Sequence, residues 1–315
     1  MTMNATNTAH TANTMNATNA TNATNATNAT NTEHATDTDP AVTGTVLVTG
    51  ATGRVGRRVV ESAEAAGLTV RAASRSGAVR FDWADRSTWA DALRGADAAH
   101  LAYLPDVGAP GAAEAVGAFA RLAVELGVGR LTLLSARGED QAHATEAAVR
   151  AAGARWTVVR ASWFAQNLSE GPLLDGMRGG ELVFPGGEVL EPFIDVRDIA
   201  DVVVAALTGG DRLADRTLDL TGPRLLSFRQ AVAEVAAAAG RRIAYVPVSA
   251  RDYGAALAEF GVPAEEAAFL TELFETNLDG RNAHLSGGVR EVLGREPRDF
   301  ADFVAEQAEA GTWKA

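Results

Sequence analysis

Residues 45–60 read TVLVTGATGRVGRRVV, a β-branched run that ends in Gly50, Gly53 and Gly56 and passes into a stretch with helical patterning. Glycines let the main chain approach a ligand where a Cβ would collide. The first turn of a helix adds unpaired N–H groups and the positive end of its dipole. A strand, a glycine turn and a helix in that order are the parts that hold a dinucleotide pyrophosphate. They predict an α/β chain, a Rossmann-type doubly wound parallel sheet. Three glycines alone would suit a plain structural turn; the strand before them and the helix after favour a nucleotide.

From residue 45 onward short apolar runs alternate with amphipathic stretches, the pattern of parallel strands joined by right-handed crossovers. Strands are expected over residues 45–49, 68–73, 79–81, 98–102, 130–134 and 156–160, with helices between them stopping at glycines such as Gly67, Gly127 and Gly153. After residue 161 the pattern loosens. Gly and Pro recur in GGELVFPGGEVLEPF, followed by an expected helix over 196–207, a strand over 217–220 and helices over 227–239 and 250–277. This divides the chain into a dinucleotide-binding core over 41–161 and, over 162–315, a small C-terminal substrate lobe interleaved with returns to the main sheet.

The first 40 residues stand apart. They repeat Asn-Ala-Thr and hold no Leu, Ile, Val or Phe. Such a segment buries too little apolar surface to offset its ordering entropy, so residues 1–40 are expected to form a disordered low-complexity tail. Its Asn-x-Thr triplets match glycosylation acceptors, but no basic stretch followed by an apolar one precedes them, and the expected location is cytoplasmic. No run approaches the roughly 20 apolar residues of a membrane span, and no membrane partner is expected. With no cysteine there is no disulfide, no thiolate chemistry and no cysteine-bound metal; no metal site is expected. Lys and Arg total 28 against 40 Asp and Glu, a net charge of −12, and only Glu33, Asp37 and Asp39 of those acids lie in the tail. A field of that sign repels phosphate backbones, which argues against nucleic acid as a partner. Nothing in the sequence fixes an oligomeric state.

In NAD-type Rossmann domains an acid at the end of the second strand accepts hydrogen bonds from the ribose 2′-hydroxyl. Here LTVRAA runs instead into Ser74 and Arg75. A hydroxyl and a guanidinium bind a 2′-phosphate that an acid would repel, so the expected cofactor is NADPH. A solvated surface arginine is the alternative. Asp82 and Trp83, just after the third strand, are placed to line the adenine, and Arg57 is expected to face water.

Ordinary short-chain dehydrogenases take a proton from a Tyr activated by a Lys four residues later. This chain has one lysine, Lys314, and three tyrosines, Tyr103, Tyr245 and Tyr253, none in that spacing. A hydride acceptor must therefore need no proton or obtain it elsewhere.

TGATGRVGRRV, ASRS, RFDWADRSTW, LLSARGED, TVVRASWFAQNLSEG, PFIDVRDIADVVVAAL and LTGP follow one another in this order. Over about residues 42–313 the chain thereby resembles the NmrA-like atypical short-chain dehydrogenases. Within that group it is similar to the ergot-alkaloid type clavine reductases and to bacterial ketoreductases of angucyclinones, which also lack the Tyr-Lys pair. The resemblance implies an NADP-binding reductase with its substrate between the sheet's C-terminal edge and the small lobe. It puts Gly50, Thr52, Gly53, Arg54, Val55, Gly56, Ser74 and Arg75 on cofactor positions. Tyr103, Leu104, Ser135, Ser162, Trp163 and Phe164 fall on loops near the nicotinamide. The position where many relatives keep a lysine corresponds to Ala142, four before Glu146.

A preformed iminium becomes a neutral amine on gaining hydride and needs no acid, whereas a ketone becomes an alkoxide that must be stabilised or protonated. The leading expectation is an NADPH-dependent reductase of a ketone on a polycyclic aromatic natural product, angucyclinone-like, whose own phenol or enol hydroxyl relieves the charge. An iminium reductase of an alkaloid pathway, a non-catalytic NADP redox-sensing regulator and a quinone reductase are the alternatives. Ser135, at the end of the fifth strand, is the candidate oxyanion donor, or else caps the following turn. Tyr103 is the second catalytic candidate, as hydrogen-bond donor or stacking surface. Trp163, Phe164 and Asn167 in one short turn suit a flat polycyclic ligand or else core packing. His284, in GRNAHLSGG, is a pocket candidate, and His143 is expected on a solvated helix face. Met177, Phe193 and Phe260, with Phe269 or Phe274, would complete the wall.

Overall fold

A computed structural model describes residues 44–314; the expected tail, residues 1–40, lies outside the described residues. In chain order, β1 (Thr45–Val48), α1 (Arg54–Ala65), β2 (Thr69–Ser74), β3 (Val79–Arg80), α2 (Trp89–Leu93) and β4 (Ala98–Leu101) are followed by α3 (Ala112–Glu125), β5 (Arg130–Ala136), α4 (Ala142–Arg150) and β6 (Arg155–Ala161). Then come α5 (Leu173–Gly179), β7 (Glu181–Phe184), β8 (Leu190–Glu191), α6 (Val196–Thr208), β9 (Arg216–Leu220) and β10 (Leu226–Ser227). The chain continues with α7 (Phe228–Ala238), β11 (Ala244–Pro247), α8 (Ala250–Glu259), α9 (Ala264–Asn277), α10 (Gly288–Leu293) and α11 (Phe300–Glu309).

Seven strands form one sheet, parallel throughout, in the order β3-β2-β1-β4-β5-β6-β9. The order reverses between β1 and β4, which opens a crevice at the C-terminal ends of those strands. Val46, Leu47 and Val48 of β1 are all buried, because both faces of the sheet are covered and the strand reads as a continuous apolar run. On one face Val55, Val59 and Ala63 of α1 pack with Ile199, Val202 and Val203 of α6. On the other, Trp89, Phe119 and Val149 join the inner side chains of β1, β4 and β5. A third apolar cluster, with Leu168, Phe184, Phe228, Phe303 and Trp313, is built entirely from residues after β6.

The expected strands and helices stand with small shifts at their ends, and three differences have physical causes. β5 runs on through Ala136 because it pairs with β6 as far as Ala161, so Ser135, at the end of the strand as expected, is itself part of the ladder. The expected helix over 250–277 is two helices: Gly261, at φ +89°, stops α8, and Pro263 caps the start of α9. The Gly- and Pro-rich stretch after α5 contains β7 and β8, whose partners β11 and β10 are distant in sequence. Among the described residues no helix is long and apolar enough to cross a membrane.

Candidate active site

Close contacts shape the turn after β1. Gly50 has φ +63°, and the Gly53 N–H donates to its carbonyl at 2.8 Å. A methyl group on Gly56 would lie 2.1 Å from that same carbonyl oxygen, so only glycine lets α1 settle onto the turn. α1 starts with no side-chain cap and no acid in its first turn. Its leading N–H groups and positive dipole end are therefore left for an anion. Gly50, Gly53, Arg54, Val55 and Gly56 line a crevice closed by the segment after β4 and by Ser135, Ala136 and Phe164. Arg54 donates to the Glu170 carbonyl at 3.3 Å, and burial lowers its pKa against the opposing charge of Glu170. Arg57 does not simply face water; it is ion-paired with Glu170 at 2.6 Å.

An outer compartment is bordered by Thr52, Ser74, Arg75, Asp82, Trp83 and Leu104, the residues expected around the 2′-phosphate, the adenine and the nicotinamide edge. Ser74 is buried and Arg75 exposed. Glu266 of α9 reaches the same rim, which no feature of the sequence signals. Trp83 is fixed as a wall: its ring packs on Phe81, Trp89, Phe119 and Tyr103, and its Nε1 donates to the Ala102 carbonyl at 2.9 Å. Asp82 shapes its own turn, accepting the Ala84 N–H at 3.0 Å. Tyr103 borders both crevice and outer compartment.

Asp106, Ser135, Ala136 and Phe164 border the crevice on one side and a second cavity on the other. One wall of that cavity is apolar, with Trp163, Phe164, Leu273, Phe274 and Leu278. The same lining includes Arg137, Glu139, Ser162, Asn167, Glu191, Asn277 and Asn282. Six buried polar atoms of its lining have no partner in the protein: Arg137 Nη2, Glu139 Oε1, Trp163 Nε1, Asn167 Oδ1, Glu191 Oε1 and Asn277 Oδ1. An unsatisfied buried group costs about 1–3 kcal/mol, so these atoms call for partners from the cavity itself, whether water or a ligand.

Ser135 donates its hydroxyl to Glu146 Oε1 at 2.7 Å. Glu146, fully buried on α4, also accepts Arg160 Nε and Nη2 at 2.7 Å each and Arg150 Nη2 at 2.9 Å. Burial would raise its pKa, but the hydrogen bonds from Arg160 and Ser135 and the two arginine charges outweigh it and hold the carboxylate ionised. The Ser135 proton is thus committed to Glu146 and directed away from any oxyanion. Ala142 is fully buried and offers only a methyl group. Ser162 borders the second cavity, with its hydroxyl donated to the Pro192 carbonyl at 2.6 Å. His284 is exposed and borders neither cavity, and His143 is exposed on α4 as expected. Met177 and Phe193 are not wall residues but belong to the third apolar cluster, and Phe260 is 88% exposed; Phe274 alone of the extra aromatics lines the cavity.

Sequence reading passes over Arg137, Glu139 and Glu191. Burial pushes the Glu139 carboxyl up to about 9, helped by the Asp106 carboxyl within hydrogen-bonding reach. Burial also raises Glu191 to about 7, against the Arg137 charge and a hydrogen bond from Asn282. One signal was available: Asp106 and Glu139 follow the C-terminal ends of β4 and β5, the edge where α/β sheets bind ligands.

No family model matches the sequence. The (4-alkanoyl-5-oxo-2,5-dihydrofuran-3-yl)methyl phosphate reductase of Streptomyces griseus subsp. griseus is 34% identical over 288 residues, covering 84% of this chain and 98% of its own length. Agroclavine dehydrogenase of Claviceps fusiformis is 31% identical over 283 residues, covering 83% of this chain and 96% of its own. Among solved structures, that of Nmra, a negative transcriptional regulator in complex with NAD, matches with a TM-score of 0.65 at 18% identity, over 85% of this chain and 96% of the other. That last likeness concerns the fold.

Proposed function

The chain belongs to the NmrA-like atypical short-chain dehydrogenases/reductases, and we propose that it is an NADPH-dependent reductase of a flat, oxygenated ketone on a polycyclic aromatic natural product, angucyclinone-like in shape. The observation that carries this reading is a pair of neighbouring chambers that share Asp106, Ser135, Ala136 and Phe164 in their linings: one at the glycine turn and helix N-terminus, the other combining aromatic side chains with unpaired polar atoms. When bound, the reduced nicotinamide supplies hydride.

The protein's own groups divide the remaining work. The first N–H groups of α1 hold the diphosphate, and Ser74 and Arg75 take the 2′-phosphate. Tyr103 stacks at the crevice mouth, while Trp163, Phe164 and Phe274 hold the ring faces of the acceptor. Asn167 and Asn277 orient its oxygens. Positioning of this kind supplies on the order of 7–11 kcal/mol of barrier reduction in well-aligned cases. The named activities of the two curated relatives, a reductase and a dehydrogenase, support the enzyme reading. A redox-sensing regulator is the second reading, and the second chamber with its unpaired polar atoms favours the enzyme over it.

Binding of NADPH and NADH, followed by cofactor oxidation with ketone, quinone and iminium acceptors, tests the reading. Arg75→Ala is expected to weaken NADPH about tenfold, or 1.4 kcal/mol, and to leave NADH unchanged. Equal effects on both cofactors would remove the 2′-phosphate role. Strong discrimination between oxidised and reduced cofactor without turnover of any acceptor would favour the sensor.

A further inference from the structure

Ketone reduction consumes a proton, and Ser135, first expected as oxyanion donor, gives its hydrogen to Glu146, while the nearby Ser162 gives its own to Pro192. The second cavity contains another source. Glu139 is 1% exposed, its Oε1 has no protein donor, and it borders the space where the acceptor sits in the proposed reaction. Asp106 stands beside it and borders both chambers.

The loop after β4 pins the two acids together. The Gly108 N–H donates to Asp106 Oδ1 at 2.8 Å, and a methyl group on Gly108 would lie 1.8 Å from Glu139 Oε1, so the glycine is what admits the second carboxyl. Two carboxyls at hydrogen-bonding range, one of them buried and neither with a cation on it, hold one proton between them more tightly than either would alone. The surrounding charges leave this pair alone. Arg137 faces Glu191 and Asp219, and Arg281 is bound to Asp279 and Asp140. Gln141 turns its amide to Glu272 at 3.4 Å.

Resting on the reductase reading above, we propose that Glu139 and Asp106 share one proton and deliver it to the acceptor oxygen. As the carbonyl carbon takes the hydride, the C=O π pair moves onto oxygen. That oxygen then forms a bond to the proton as the carboxyl O–H breaks. The pair is left with both carboxylates ionised and regains its proton from solvent. A ketone held here does not have to supply its own acid. The raised pKa of Glu139, about 9, keeps the proton in place at neutral pH.

The test has two readouts. In the infrared spectrum at pH 7 the wild type should show a protonated-carboxyl C=O stretch that Glu139→Gln diminishes, leaving the share of Glu191, and that Asp106→Asn shifts in frequency; its absence from the wild type, or a band that neither variant alters, would overturn the shared proton. In NADPH oxidation, with isatin and 9-fluorenone as ketones and N-methyl-3,4-dihydroisoquinolinium as the iminium, Glu139→Gln should lower ketone kcat by about 10²–10⁴-fold. The loss on the iminium should be smaller by at least about tenfold, because only the ketone needs the proton. NADPH affinity of the variant should match the wild type, confirming a folded crevice. Equal losses on both acceptor types, or none on the ketones, would overturn the donor role. A wild type that shows the carboxyl band but reduces no acceptor would overturn both the donor role and the reductase reading. A wild type that reduces the ketones but lacks the band would overturn the pair alone.

Discussion

Glu139 and Glu146 flank the start of one helix, are 1% and 0% exposed, and are held in opposite charge states. The difference is company. Glu146 sits among Arg150, Arg160 and the Ser135 hydroxyl, which tie α4 to β5 and β6. Glu139 has a second acid for a neighbour and an oxygen with no donor. Burial alone therefore does not decide whether a carboxyl is charged; the sign and number of its neighbours do. The charged glutamate is a structural tie, and the neutral one lies where chemistry is proposed.

The contrast can be broken from either side. Glu146→Ala removes the shared partner of Arg150 and Arg160 and should cost about 2–3 kcal/mol in denaturant unfolding at pH 7, less than for a fully buried pair because the two arginines are 35% and 25% exposed. A loss below about 1 kcal/mol would show that the network does not hold the sheet. Next in size, the two acids should give stability opposite slopes against pH. The raised pKa of Glu139 makes its contribution complete below the unfolded value of 4.5 and lost as pH rises through about 9. The depressed pKa of Glu146 makes its contribution present above 4.5 and lost as pH falls through the folded value. Glu139→Gln should flatten the alkaline limb of the wild-type melting profile, whose slope is at most about 1.4 kcal/mol per pH unit, and leave the acid limb in place. An unchanged alkaline limb would assign it to another group.

Ser135→Ala removes one donor to an ionised carboxylate and should cost about 1.5 kcal/mol of stability with little change in turnover. A large loss of turnover with stability intact would return Ser135 to the oxyanion role first expected of it. Smallest of all, Tyr103→Phe should change turnover by no more than about twofold, or 0.4 kcal/mol, if the tyrosine only stacks. A far larger loss would make its hydroxyl the acid and contradict the carboxyl pair.

The two chambers differ in how far the sequence announces them. The crevice is written in one contiguous stretch, TGATGRVG, because its ligand contacts are main-chain groups whose only side-chain requirement is absence. The alternation of strands and helices was equally legible, since each element carries its own period. The second cavity draws on the segments after β4, β5 and β6, on β8, on α9 and on the loop holding Asn282, and no local pattern links them. That is why Met177 and Phe193 read as wall but pack in the third apolar cluster, and why Arg137, Glu139 and Glu191 went unread. It is also why a helix expected through 277 hid a break at Gly261 and Pro263, where two residues outweigh a long helical run.

The contact between Gly56 and the Gly50 carbonyl leaves no room for even one extra carbon. Turn and helix must therefore travel as a single rigid piece, and small heritable changes there act as a switch rather than a dial. Any gradual drift in coenzyme preference has to be recorded at the exposed rim around Arg75, where a side chain can be exchanged without moving its neighbours.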